Sequence, residues 1–345
     1  MIQDIKGLFS TPNDDLSGFF CYKDHPSEER KDGYSCYFKI AGITFLVQSD
    51  LPIDENTFNK KFLSFQTDGP GEDTVTIFHH FFIPRFNGSD YGREVYRNIP
   101  WAIYSLDAYE GQYIYQLIST NRDDLSLYQI AIFTADHNHS CIYNDDNREK
   151  SWREGNLHSL TMFPSDQILI SRLLADRNGC YLHSAGAIVN EAGLLFVGHS
   201  EAGKSTTTNF LIDAGARGDF EVEILCDDRN IVRRYNNDWL VYGTWSHGDV
   251  PLVSSSSAPL KAICFIEQSH ENIITSLTDR KEIIRRLLPC VIRPFVTADW
   301  WEKTLELIEL MVQQVPCYVM RFDKSGSIVK EILQLIATKA SLHIS

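Results

Sequence analysis

One octapeptide limits the possible folds of this chain more than any other segment. Residues 198–205 follow the pattern Gly-x-x-x-x-Gly-Lys-Ser, with an apolar run at 194–197 before them and a helical pattern from Lys204 onward. Between a strand and a helix, such a glycine-rich turn aims backbone N–H groups at phosphate oxygens, and the helix N-terminus adds the positive end of its dipole. The pattern therefore predicts a phosphate-binding loop within a layered arrangement of strands and helices.

This loop predicts a site for ATP or another nucleoside triphosphate. Lys204 is expected to reach the β- and γ-phosphates, and Ser205 is expected to bind Mg²⁺ through its hydroxyl group. ATP, GTP and pyrophosphate all remain open as phosphate donors. The predicted nucleotide-binding residues are Gly198, Ser200, Glu201, Ala202, Gly203, Lys204, Ser205 and Thr206.

The sequence changes character near residue 150, which predicts two domains, 1–150 and 151–345. The first holds alternating or β-branched and aromatic runs separated by turn clusters, which is typical of a strand-rich domain. These runs lie at 34–48, 73–83, 101–106, 113–119 and 124–134, and the polar segment 144–150 is predicted to be a surface loop or linker. No motif decides whether the first domain binds an acceptor, a partner protein or a second copy of the chain.

The second domain mixes strand patterns with helical ones. Helices are predicted at 164–176 (capped by Ser165), 204–214, 279–288, 298–314 and 326–337, and strands at 180–183, 187–190, 194–197, 222–226, 231–235, 239–242 and 261–266. Three short strands before the loop cannot all be joined by helical crossovers, so a mixed sheet flanked by helices is expected. The predicted fold class is α/β.

An acidic pair, Asp227 and Asp228, follows the apolar strand at 222–226 and precedes Arg229. In proteins with this loop an acidic residue at a strand end holds Mg²⁺. Neighbouring residues on an extended chain point to opposite sides, so one carboxylate could face the metal and the other an acceptor, or both could meet the site. His183 lies at another strand end, where a single histidine is more often structural than catalytic.

Taken together, residues 181–234 resemble the catalytic domain of bacterial HPr kinase/phosphorylase. The residues that match the family pattern, in order, are His183, Gly198, Gly203, Lys204, Ser205, Asp227, Asp228 and Arg229. The same order of motifs is similar to that of ATP-dependent phosphoenolpyruvate carboxykinase. The resemblance implies a kinase that phosphorylates a serine-like hydroxyl. It implies Asp227 as the base and Asp228 as a Mg²⁺ ligand, or the reverse, with His183 beside the phosphates.

The chain also departs from that family. Glu201 stands where the family has glycine, and residues 243–249, Gly-Thr-Trp-Ser-His-Gly-Asp, replace a glycine-rich signature with a Leu-Glu-x-Arg-Gly core. The acceptor therefore stays open among small molecules, peptides and proteins. His247 either contacts a phosphate or the acceptor, or is a hydrogen-bonded turn histidine. Arg293 either reaches the transferring phosphate, as an internal arginine finger does, or is a surface or salt-bridge residue.

Charge and cysteine usage limit the partners. The formal charge of −14 at pH 7 disfavours nucleic acid and anionic membranes. No apolar run reaches the roughly 18 residues of a spanning helix, and no signal peptide is recognised. The eight cysteines are dispersed without Cys-x-x-Cys pairs, which predicts reduced thiols and a cytoplasmic location. Histidines at 79–80 and 137–139 lack a spaced third metal ligand.

Three alternatives to a kinase remain. A nucleotide-dependent regulatory module or slow ATPase would bind ATP without an acceptor, but such a protein does not need the acidic pair. A carboxykinase-like lyase is disfavoured because the chain is short for that family and its metal-binding lysine and histidine are not recognised. A purely structural relative is disfavoured because Lys204, Ser205 and both aspartates are present. The sequence leaves the oligomeric state open, including a homo-oligomer.

Overall fold

A computed structural model describes residues 33–84, 91–106, 112–118, 126–162, 166–199, 201–294 and 297–340 of the protein. The chain divides into two compact units, Met1–Asp166 and Gln167–Ser345, which we call the N-terminal and C-terminal units. Each unit contains a mixed β-sheet, and helices accompany the sheets, so the predicted α/β class is confirmed.

The N-terminal unit is built on one sheet. Its described residues form nine strands: β1 (Ser35–Ile40), β2 (Ile43–Ser49), β3 (Gln66–Thr67), β4 (Thr74–His80), β5 (Arg93–Asn98), β6 (Trp101–Leu106), β7 (Gln112–Ile118), β8 (Leu127–Phe133) and β9 (His139–Asn144). The sheet order is β3-β1-β2-β4-β9-β8-β7-β6-β5. Neighbouring strands are antiparallel except for the parallel pairs β2–β4 and β4–β9. In β4 every second residue is buried, as a strand with one covered face requires.

One prediction for this unit is wrong. Most of the polar segment 144–150 belongs to a helix, α1 (Asp146–Glu154), and the predicted domain boundary after residue 150 falls inside it. Asp145 caps the helix by accepting a hydrogen bond from the Arg148 N–H at 2.9 Å, and Arg153 pairs with Glu149 one turn away at 2.7 Å. Helix α1 is polar because most of its residues are exposed to solvent, while Trp152 is buried.

The C-terminal unit combines helices with a second sheet. Its helices are α2 (Gln167–Ala175), α3 (Lys204–Ala216), α4 (Arg280–Leu287), α5 (Ala298–Gln314) and α6 (Ile328–Ala340). Its strands are β10 (Gly179–Val189), β11 (Ala192–Val197), β12 (Val222–Cys226), β13 (Arg229–Tyr235), β14 (Asp238–Tyr242), β15 (Ser257–Gln268), β16 (Ile273–Leu277) and β17 (Cys317–Phe322). Within the described parts of the chain, no helix has both the length and the apolar character needed to cross a membrane.

The five predicted helices of this unit are confirmed within a few residues, although Ser165, the predicted cap of α2, lies outside the described residues. The predicted strands at 180–183 and 187–190 are two parts of the single strand β10. Strands β16 and β17 were not predicted.

Two long strands, β10 and β15, change partners along their length. Strand β10 pairs with β13 up to His183, and with β11 from Ser184 onward. Strand β12 also pairs with the second half of β10. Strand β15 pairs with β14 at its start and then runs parallel to β11 and β17, so the predicted mixed sheet is confirmed. The partner exchange in β10 brings the ends of β11 and β12 close to His183.

Helices cover both faces of this sheet. All six residues of β11 are buried, as is typical of a strand that is covered on both sides. Leu194 and Phe196 belong to a core that includes residues of α3 and α6, whereas Leu195 and Val197 belong to a core that includes residues of α4 and α5. This packing anchors the strand that leads into the glycine-rich loop.

Candidate functional site

The predicted phosphate-binding loop connects β11, which ends at Val197, to α3, which begins at Lys204. Two loop residues have positive φ angles, +67° at Glu201 and +111° at Gly203. At Gly203 a Cβ atom would lie 2.7 Å from Cζ of the buried Phe322 ring, so the position requires glycine. The loop therefore turns sharply from the strand into the helix.

Hydrogen bonds hold the described part of this loop. The N–H group of Ala202 donates to the His199 carbonyl at 3.2 Å, and the Gln268 side chain donates to the Glu201 carbonyl at 2.8 Å. Glu201 is exposed, and Thr206 is half-buried in the first turn of α3. Ser200, one of the predicted nucleotide-binding residues, lies outside the described residues.

Lys204 lies across the loop. Its Nζ donates to the carbonyl oxygens of Gly198 at 3.0 Å and His199 at 3.1 Å. Burial lowers the pKa of Lys204 below its ordinary value, and the charges of Asp228 and Asp227 oppose part of that shift. The charges of both members of the acidic pair therefore favour the protonated form of this ammonium group.

Asp227, the first member of the acidic pair, follows β12 and is only 2% exposed. Its Oδ1 accepts a hydrogen bond from the Gly248 N–H at 2.6 Å, and its Oδ2 accepts one from the Val250 N–H at 2.8 Å. The hydroxyl of Ser205 also donates to Oδ2, at 3.3 Å. Both carboxylate oxygens are thus held by fixed donors, and one of them contacts the loop serine.

Asp228, the second member, has different partners. Its Oδ1 lies 3.1 Å from Nε2 of His183, and its Oδ2 lies 3.4 Å from Nε of Arg229. Burial raises the pKa of Asp228, but the hydrogen bond with His183 and the charges of Arg229 and Lys204 lower it by more, so its pKa is below the ordinary value. The two adjacent aspartates therefore have separate environments.

Asn230 fixes the position of the acidic pair and was not predicted. Its Nδ2 donates to the carbonyl of Ser184 at 2.7 Å and to that of Cys226 at 3.1 Å. These carbonyls belong to the residue after His183 and to the residue before Asp227, so one buried amide joins the two strands of the site. The signal in the sequence was a polar residue directly before the apolar pair Ile231 and Val232 of β13.

The segment 243–250 lies beside the acidic pair. Thr244 holds it by donating from its hydroxyl to the Arg229 carbonyl at 2.6 Å. His247 is half-buried, and its Nδ1 donates to the carbonyl of Gly248 at 3.0 Å. Asp249 extends toward the predicted phosphate-binding loop, where its Oδ2 lies 3.4 Å from the Ser205 hydroxyl. Asp249 was not among the predicted site residues.

Other sequence candidates contact residues that do not belong to the acidic pair. The guanidinium of Arg293 lies over the Trp301 ring, 5.9 Å from its centroid. In the N-terminal unit, His79 bonds through Nε2 to the Leu160 carbonyl at 2.8 Å, and burial lowers its pKa to about 4. His80 lies 3.0 Å from Asp50. These contacts agree with structural roles for both histidines.

The side chains around Ser205 suit a hard divalent cation. The described residues contain no cluster of three or more His, Cys, Asp or Glu side chains arranged as a metal site. The Ser205 hydroxyl and the carboxylates of Asp227 and Asp249 nevertheless supply oxygen donors from three segments. Mg²⁺ is usually held by one or two carboxylates together with substrate phosphates, so this partial donor set fits Mg²⁺ next to a phosphate-binding loop.

Known proteins are similar to this chain in structure and not in sequence. No protein-family model and no curated protein sequence matches the chain. Among solved structures, the chain is similar to the Hpr(Ser) kinase/phosphatase from Coxiella burnetii, with 11% sequence identity and a TM-score of 0.27 over 48% of this chain and 99% of that chain. A similarity of this size assigns neither substrate nor activity, so the function is inferred from the geometry of the site.

Proposed function

We propose that the C-terminal unit is an ATP-dependent kinase that transfers the γ-phosphoryl group to a hydroxyl group of an acceptor. The observation that carries this proposal is the division of contacts within the acidic pair. Asp227 contacts Ser205 of the phosphate-binding loop, while the adjacent Asp228 contacts His183. Nucleotide binding alone requires only a carboxylate that holds the metal ion beside the loop serine. Transfer to a hydroxyl group requires that carboxylate and also a second one, beside the same phosphate, that accepts the proton.

Nucleotide binding is proposed to use backbone N–H groups of residues 198–206 and the N-terminus of α3. Lys204 exchanges its bonds with the loop carbonyls for bonds with the β- and γ-phosphates. Ser205 and Asp227 hold the Mg²⁺ that accompanies ATP. When bound, this ion neutralises negative charge that develops on the transferring phosphoryl group.

Asp228 is the proposed base, which is the reverse of the order that the sequence favoured. Both oxygens of Asp227 accept hydrogen bonds from donors that the fold fixes. The Asp228 side chain is 22% exposed and has an imidazole partner, His183, that orients it. An aspartate carboxylate is ionised at neutral pH, so Asp228 can accept a proton from the acceptor hydroxyl.

The proposed step is an in-line displacement. The acceptor oxygen forms a bond to the γ-phosphorus as the bond from that phosphorus to the β,γ-bridging oxygen breaks, and the acceptor proton passes to Asp228. The products are ADP, the phosphorylated acceptor and a proton that returns to solvent. The acceptor is a small molecule, a peptide or a protein. His247 is proposed to contact it, and Arg293 takes part only if its stack on Trp301 opens.

Transfer of the γ-phosphate tests this proposal. The full chain is incubated with Mg²⁺, γ-labelled ATP and a cell extract separated into small-molecule and protein fractions, while a fluorescent ATP analogue reports binding. We expect label on one acceptor and loss of ATP binding in Lys204→Ala. We expect Asp228→Asn to bind the nucleotide with Mg²⁺ but to transfer about 10²–10⁴-fold more slowly.

Asp213→Asn is the matched control, because Asp213 is an exposed aspartate farther along α3. It should transfer label at the wild-type rate. Slow transfer in Asp227→Asn with metal binding intact, together with normal transfer in Asp228→Asn, would assign the base to Asp227. ATP binding without transfer in any fraction would replace the kinase proposal with a nucleotide-binding regulatory module or slow ATPase.

A further inference from the structure

The Ser205 hydroxyl lies between two carboxylates from different segments. Asp227 Oδ2, at the end of β12, is 3.3 Å from Ser205 Oγ, and Asp249 Oδ2, in the segment 243–250, is 3.4 Å from the same atom. The serine of a phosphate-binding loop is the residue whose hydroxyl binds the Mg²⁺ of the nucleotide. Asp249 therefore brings a second carboxylate to the position where that ion is expected.

The fold fixes the backbone around Asp249. The residues on both sides of it, Gly248 and Val250, donate their N–H groups to the two oxygens of Asp227. A Cβ atom at Gly248 would lie 3.3 Å from Asp227 Oδ2 and 3.3 Å from Asp228 Cβ, so the segment passes close to the acidic pair. Asp249 is an exposed residue, yet its two neighbours in the chain are hydrogen-bonded to the buried carboxylate of Asp227.

The negative charge near residues 198–205 affects how a nucleotide can bind. Asp227, Asp249 and the exposed Glu201 bring three carboxylates to the neighbourhood of the loop that would hold a polyanion. Lys204 is the cation of the loop itself, and its ammonium group is hydrogen-bonded to the carbonyls of Gly198 and His199. Like charges at such distances repel a nucleotide that arrives without a cation, whereas a divalent ion between the phosphates and the carboxylates removes the repulsion.

We infer that Asp249 is a second carboxylate for the Mg²⁺ of the bound nucleotide, either as a direct ligand or through a water molecule, and that it makes nucleotide binding depend on the divalent ion. This inference rests on the proposed function, because it uses the same phosphate-binding loop. It assigns a role to the segment 243–250, where the sequence suggested a contact of His247 with a phosphate or the acceptor, or a turn with a hydrogen-bonded histidine.

Metal binding in the absence of turnover tests the inference. The dissociation constant of Mn²⁺ is measured on the full chain with ADP from the electron paramagnetic resonance signal of free Mn²⁺. Affinity for a fluorescent ATP analogue is measured with Mg²⁺ and with EDTA. We expect Asp249→Asn to weaken Mn²⁺ binding about 10–100-fold. In EDTA the same variant should bind the nucleotide severalfold more tightly than wild type, because a repulsive charge is gone.

Asp213→Asn again serves as the control for removal of one negative charge from the same region. Asp213 lies eight residues after Ser205 on α3, about 12 Å along the helix axis. This variant should leave both measurements unchanged. Because the Asp249 residue is exposed and its contact with Ser205 is long, at 3.4 Å, Asp249→Asn and Asp249→Ala should unfold at the wild-type temperature, and both should give the same metal result.

The outcomes separate the two proposals. Wild-type affinity for Mn²⁺ in both Asp249 variants overturns the inference and leaves the kinase proposal intact. Weaker nucleotide binding in EDTA overturns it as well, because that result indicates a structural role for Asp249. Absence of nucleotide binding by the wild-type chain overturns both proposals.

Discussion

Replacement of Gly203 by alanine tests the loop geometry most directly. Gly203 has a φ of +111°, in the region where an L-residue is strained by about 1–2 kcal/mol. The new Cβ would lie 2.7 Å from Cζ of Phe322. That ring is 3% exposed and packs edge-on against Phe210, so it cannot move freely, and overpacking costs about 1–3 kcal/mol. The expected loss for Gly203→Ala is the sum, about 2–5 kcal/mol.

Gly218 provides the matched control. Its φ is +79°, and a Cβ atom there would meet nothing within 4 Å. Gly218→Ala should therefore lose only the backbone contribution, about 1–2 kcal/mol. Both substitutions restrict the unfolded chain in the same way, so the difference between them reports the contact with Phe322. In a Phe322→Ala background, Gly203→Ala should cost about as much as Gly218→Ala.

The assay is urea unfolding combined with hydrogen exchange of peptides from α3. Exchange is needed because a chain with two compact units need not unfold in one transition. Equal losses for the two glycine variants, or an undiminished loss for Gly203→Ala when Phe322 is replaced, would refute the packing argument. Nucleotide binding measured on the same samples should fall for Gly203→Ala and stay at the wild-type level for Gly218→Ala.

Three further predictions concern the surroundings of the acidic pair. The pKa of Asp228 is lowered in the folded chain, so its ionised form stabilises the fold at pH values above the ordinary pKa of 3.8, and this stabilisation is lost as the pH falls toward the folded pKa. The thermal unfolding temperature of Asp228→Asn should therefore depend less on pH in that range than the wild-type temperature does. A pH profile as steep as that of the wild type would contradict this expectation. Asn230→Ala leaves two buried carbonyls without their amide donor and should lower the free energy of unfolding by about 2–6 kcal/mol in urea titrations, whereas a loss below about 1 kcal/mol would show that the amide does not join the strands. Burial raises the pKa of the Cys180 thiol to about 12 and that of Cys226 to about 11, so at pH 8 both should react with a disulfide reagent only after unfolding, and rapid labelling of the native chain would count against their burial.

The loop and its flanking elements could be predicted because their signals are local. The pattern at 198–205 includes its own strand and helix, and helix α5 was predicted with the bounds that the structure gives. Strand β17 was missed because a short apolar run after a long helix has no distinctive period. Helix α1 was missed because its polar residues face solvent, and its cap, Asp145, resembles a turn residue when read alone.

The finer features of the site depend on contacts between distant segments. Ser205 and Asp249 are 44 positions apart, and Asn230 and Ser184 are 46 apart, so no local pattern connects them. The different partners of Asp227 and Asp228 also depend on tertiary structure, because the direction of each side chain is set by the turn between β12 and β13. Sequence reasoning could name both aspartates but could not decide which of them faces Ser205.

The partner exchange in β10 has a consequence for how the chain can be rearranged. Many surface connections of such a unit can be opened and the original termini joined without loss of the fold. A cut between His183 and Ser184 would be different, because pairing with β13 stops at the first of these residues and pairing with β11 starts at the second. Circular permutation at that peptide bond would separate His183 from the half of β10 that pairs with β11, the strand before residues 198–205. Complementation between two fragments cut at the same bond would measure how strongly the two halves of the candidate site hold each other.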